Sequence, residues 1–122
     1  SGGHILNAGD KGVSIGEDSV LVLLKSLIKN SSIALTIKDG SSLEADDLLV
    51  AGSALAIAMY SKKSEYGKAS ASVHNLVLEN NKRKLLIEKG LAIDLNGIGY
   101  IGDADAVEKV MYGNVYGRAT QH

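Results

Sequence analysis

The run Gly97-Ile98-Gly99-Tyr100-Ile101-Gly102 matches GxGxxG, the spacing that lets a backbone approach a pyrophosphate at a helix N-terminus. A strand-like stretch precedes it. Only the short tail of the chain follows, leaving no room for the rest of a βαβ unit or for a ribose-binding acid about twenty residues on. Asp103 and Asp105 would also meet phosphates with like charge. The preferred reading is a glycine-rich hairpin; small-molecule or nucleotide binding through residues 97–105 is the alternative. His4, His74 and His122 show no helical or hairpin ligand spacing, so no metal site is assigned. Asp39, Glu44, Asp46 and Asp47 form one acidic group, and Asp103 and Asp105 another. Either could hold a hard cation weakly, but both read better as first-turn acids complementing a helix dipole. No serine sits in a nucleophile elbow or beside a candidate base. Lys82-Arg83-Lys84 reads as a solvated turn that at most touches an acidic partner. The residues assign no catalytic group and no cofactor, and they predict a non-enzymatic protein.

Composition narrows the class. At 122 residues the chain predicts one domain, with 45% hydrophobic and 22% charged residues in ordinary globular balance. The 13 basic and 14 acidic side chains make no field suited to nucleic acid or an anionic membrane. Cysteine is absent, the opening Ser1-Gly2-Gly3-His4 is polar, and the longest apolar run, Leu48 to Tyr60, is too short to span a bilayer. A cytoplasmic location is the expectation. Without proline, glycine, with 14 copies, must punctuate the fold.

The elements follow from periodicity. Ile5 to Ile15 reads as a weak hairpin or extended arm around Asn7-Ala8-Gly9-Asp10-Lys11-Gly12. Val20, Leu23, Leu24, Leu27 and Ile28 fall at helical spacing. Ile33 to Lys38 alternates as a strand, and Asp39-Gly40 is a turn signal. Ala45 to Tyr60 predicts a long helix, apolar nearly all round from Leu48 and therefore covered on two sides. A second subunit is the favoured cover on one side; burial within the monomer is the alternative. Val73 to Glu79 and Lys84 to Lys89 predict strands joined by a hairpin at Asn80-Asn81-Lys82. A second hairpin is expected around Asn96-Gly97, then a short helix from Asp103 and a tail from Gly113 to His122. No internal repeat is evident.

The order helix, strand, Asp-Gly turn, Ala/Leu-rich helix and hairpin resembles the roadblock/dynein light chain family. The likeness is carried by Ile33 to Gly40, the helix Ala45 to Tyr60, and Leu76-Val77-Leu78-Glu79 with Lys84-Leu85-Leu86-Ile87. The resemblance implies a non-catalytic dimeric adaptor or regulator acting on a small GTPase or a motor complex, with Leu48, Ala51, Ala54, Leu55 and Ala58 at the homodimer seam. It departs from the family where only Ser41-Ser42-Leu43 separates the turn from the long helix, and in the extra arm over residues 1–16. The expected fold is a single roadblock-like α/β domain over 1–122, with a mostly antiparallel sheet of about five strands and the long apolar helix packed on one face.

Overall fold

Val20 pairs with Ser42 and Ile33 with Leu55, each joined in parallel to the residue 22 positions further on. That register governs the whole architecture. The computed structural model describes residues 4–6, 11–62 and 64–113; for residues 4–6 and 11, and for Ser64, only the backbone is described. In chain order the elements are β1 (His4–Leu6), β2 (Lys11–Ile15), β3 (Val20–Lys29), β4 (Ile33–Lys38), β5 (Ser42–Ala51), β6 (Leu55–Tyr60), a 3-10 turn (Ser64–Tyr66), β7 (Ser70–Glu79), β8 (Arg83–Ile87), β9 (Ala92–Leu95), β10 (Ile98–Ile101) and α1 (Val107–Met111). As far as β9, successive strands alternate between a six-stranded sheet, β1-β3-β5-β7-β9-β10, and a four-stranded sheet, β2-β4-β6-β8. Every pairing is parallel except the terminal β9–β10 hairpin. The chain therefore winds as a parallel β-solenoid, one strand of each sheet per coil. Between Ser42 and its partner Ser70 the step is 28 residues, the longer coil carrying the 3-10 turn.

Among the described residues, left-handed backbone marks recurring corners of the coils. Asp18, Gly40 and Gly90 occupy one corner; Asn30, Gly52 and Asn80 a second; Lys25, Asp47 and Asn75 bend the long strands in their middle. Asn, Asp and Gly tolerate positive φ, which explains all of these but Lys25. The mid-strand bend also explains the helix-like spacing. Alternation points Leu21 and Leu23 inward, then the bend advances the phase by one, so Ser26 and Ile28 point inward next. Val20, Leu24 and Leu27 thus lie on one face of β3, and Leu23 and Ile28 on the other. What mimicked an i, i+3, i+4 stripe is a bent strand with apolar residues on both faces.

The expected α/β fold is corrected on this point: no long helix exists among the described residues, and the sheets are mostly parallel. Leu48 to Ala51 belong to β5, Gly52 (φ 72°) turns the corner, and Leu55 to Tyr60 form β6. Strands buried on both faces read as continuous apolar runs that periodicity cannot tell from helix. β6 is such a strand. Ile57 and Met59 face the solenoid interior, stacked between Leu35 and Leu85 and between Ile37 and Ile87. Its other face, Leu55, Ala58 and Tyr60, lies with Leu86 under Val107 and Met111 of α1. Coverage on two sides is therefore supplied within this chain. The expected hairpin at Asn80 is also replaced, because β7 and β8 lie in different sheets. The absence of an internal repeat is corrected too: the repeat is structural, carried by small and large apolar residues in the same ladder, as in Leu43–Ala71–Ile93. The hairpin around Asn96-Gly97 and the strand Ile33 to Lys38 stand where the sequence placed them. The turn residues 7–10 and the tail beyond Gly113 lie outside the described residues.

Burial pushes the Tyr60 phenol well above the usual tyrosine range; the charge and hydrogen bond of Tyr112 and the carboxylates of Glu108 and Asp39 add to it. In the unfolded chain the phenol ionises near its ordinary value of about 10. The folded state binds that proton more tightly, so its contribution is fully present below about pH 10 and is lost as pH rises above it. Urea midpoints should be flat up to that point and fall beyond it. Tyr60→Phe should flatten the alkaline fall, and an unchanged slope in that variant would show that other groups control it.

Candidate interaction surface

The outer face of the large sheet carries rows set by the parallel register. Glu44 sits between Val22 and Ser72, with Asp94 beyond; Asp46 sits between Leu24 and His74. The Asn75 amide donates to Asp46 Oδ1 at 2.9 Å. Val22, Leu24, Glu44, Asp46 and His74 line a shallow depression of about 180 Å³. Glu44 and Asp46 are therefore outward strand residues and Asp47 a bend residue, not helix N-terminal acids. Asp39 is buried at a corner, where its Oδ1 accepts the Lys62 backbone N–H at 2.6 Å. Asp105 pairs with exposed Lys89 at 3.4 Å. Among the described residues no three histidines or carboxylates gather as metal ligands. His74 is exposed beside Asp46; the side chain of His4 and all of His122 lie outside what is described.

Two strand edges end the large sheet. β1 covers only Ser26 to Ile28 of β3, and among the described residues nothing pairs with Val20 to Leu24 on the side away from β5. The Ser42 N–H donates to Ser19 O at 2.8 Å, and alternation then directs the backbone groups of Leu21 and Leu23 to β5 and those of Val20, Val22 and Leu24 outward. Their side chains are unusually bare: Val20 is 74% exposed, Val22 58% and Leu24 56%. At the opposite end, β9 turns through Asn96 (φ 54°) and Gly97 (φ 82°) into β10, where a further coil would have continued along β7. The Asn96 side chain fills part of that vacancy: its Oδ1 accepts the Leu76 N–H at 2.8 Å and its amide donates to Leu76 O at 3.1 Å. A notch of about 420 Å³ remains, lined by Leu76, Leu78, Leu85, Leu95, Ile98 and Tyr100 together with the polar Lys84 and Asn96. Ile98 is 57% and Ile101 83% exposed.

No family model, curated protein or solved structure matches the chain. No helix among the described residues is long and apolar enough to cross a membrane.

The expected seam is not assembled. Leu48 faces the interior from β5; Leu55 and Ala58 are fully buried beneath α1; Ala51 and Ala54 are half-buried on either side of the Gly52 corner. These five residues lie on two strands and the turn between them and make no common surface. Of the GxGxxG glycines, Gly97 forms the hairpin turn, Gly99 lies within β10 and Gly102 packs against the Glu88 carbonyl, while α1 begins only at Val107. No helix N-terminus follows them directly to receive a phosphate. Sequence reasoning missed Val20, Val22 and Leu24 as a surface, because Val20 and Leu24 fall with Leu23, Leu27 and Ile28 at helical spacing. The signal that could have found them is the 22-residue recurrence of Asn, Asp and Gly at the corners.

Proposed function

We propose that this chain is a non-enzymatic protein-interaction module, a stiff solenoid that takes up an extended strand of another polypeptide along the Val20–Leu24 edge. The bare apolar edge carries this reading. Sheet edges are ordinarily blunted with lysine, proline, bulges or a covering loop, and Val20 to Leu24 holds none of these side chains. Strand addition draws affinity from main-chain hydrogen bonds and specificity from alternate side chains, and both are on offer here. The adaptor role suggested by the roadblock likeness survives only in this general form. The long helix that carried the likeness and its expected homodimer seam is replaced by two strands and a corner.

Selection of extended peptides from a displayed library on the immobilised domain tests the proposal. Binding of the selected peptides should be lost in Val22→Pro and kept in His74→Ala. Peptides that bind both equally, or a substrate turnover abolished by His74→Ala, would overturn it.

A further inference from the structure

The two bare edges belong to opposite ends of the same solenoid and match each other. Gly102 N–H donates back to Leu91 O at 2.8 Å, so alternation turns the backbone groups of Gly99 and Ile101 away from β9, towards the open side. The open groups of β3 are those of Val20, Val22 and Leu24. On β10, Gly99 and Ile101 share the outer face, while Ile98 and Tyr100 continue the inner face beside the notch. On β3, Val22 and Leu24 face outward and Leu23 inward. Hydrogen-bonding parity and facing therefore agree if β10 lies antiparallel on β3, with Ile101 opposite Val22, Gly99 opposite Leu24 and Tyr100 beside Leu23. Gly99 has nothing within 4 Å of where a Cβ would stand, which leaves space for Leu24.

Resting on the reading of Val20–Leu24 as a strand-accepting edge, we propose that its occupant is β10 of a second copy of this chain, so that copies stack head to tail into one continuous solenoid. The same step brings the partner's first coil over the notch, covering its leucines while Lys84 and Asn96 supply polar groups at its wall. Because the two edges differ, the contact is heterologous and does not close, and it propagates as a filament. Five strand spacings per copy give an axial repeat of about 24 Å.

Val22→Pro and Ile101→Pro each remove one outward N–H without touching a bond inside the sheet. Sedimentation velocity should show the wild-type mean mass climbing with concentration through dimers to longer species. Each proline variant alone should associate about tenfold or more weakly, the loss expected for deleted interstrand hydrogen bonds. An equimolar mixture of the two should form a one-to-one dimer and nothing longer, since one brings an intact β10 and the other an intact β3 edge. Circular-dichroism melts check that both fold; should either melt early, Val22→Lys and Ile101→Lys replace them. A wild type that stays monomeric, a Val22→Pro chain that still self-associates, or folded variants that do not complement each other would overturn head-to-tail stacking. A monomeric wild type that still binds selected peptides at Val20–Leu24 would leave the interaction module standing and remove only the self-partner.

Discussion

Ala58→Glu is expected to abolish cooperative folding. Ala58 is fully buried on the outer face of β6, paired in register with Thr36 and Leu86, and closed over by Val107 and Met111. A glutamate there overfills a methyl-sized space and places a carboxylate among Leu86, Val107 and Met111. An unpaired buried charge costs several kcal/mol after relaxation, and domains of this size have only about 5–15 kcal/mol in total. The chain should be recovered insoluble or without a cooperative melt. Ala54→Glu, at a half-buried corner, should fold. The contrast separates this structure from a helix seam: on a helix lining a subunit contact, positions 54 and 58 would behave alike and change mass rather than fold. A soluble Ala58→Glu chain melting within a few degrees of wild type would mean that α1 does not cover β6.

The second large effect is expected at a corner. Gly40 has φ 73°, and a Cβ added to it would collide with the backbone carbonyl of Tyr66 in the longer coil. Gly40→Val combines two costs: a β-branched residue in the left-handed region, at about 1–2 kcal/mol, and an overlap with backbone that cannot rotate away, at about 1–3 kcal/mol. For a domain of this length that corresponds to a fall in melting temperature of roughly 10–20 °C. Gly90 occupies the equivalent corner with φ 88° but open space around it. Gly90→Val should therefore carry only the cost of the left-handed backbone, about 1–2 kcal/mol, and lose clearly less than Gly40→Val. Equal losses at the two glycines would show that φ alone decides, and that the Tyr66 carbonyl is not in contact.

These contrasts also show what was legible in the residues. Local chemistry determined the corners and the shortest elements. Asp39-Gly40 and Asn96-Gly97 turn the chain because their residues accept positive φ, and Ile33 to Lys38 is a strand because its alternation is clean. Coverage on two sides was expected for the whole run Leu48 to Tyr60, with a second subunit as the favoured cover; it holds for Leu55 to Tyr60, where α1 of this chain is the cover. Tertiary structure alone decided the rest. Whether an apolar run is a helix or a doubly buried strand depends on what lies above and below it, here stacked coils inside and α1 outside. The left-handed residue in the middle of β3 shifted its alternation and produced a false helical period that only the pairing of Val20 with Ser42 resolves. Parallel partners 22 residues apart leave no local mark beyond the corner residues, and the longer third coil breaks even that count. The candidate edges were hidden for the same reason: Val20, Val22, Leu24 and Ile101 are ordinary strand residues, and only the stacking of the coils shows that, among the described residues, they lie on strand edges left unpaired.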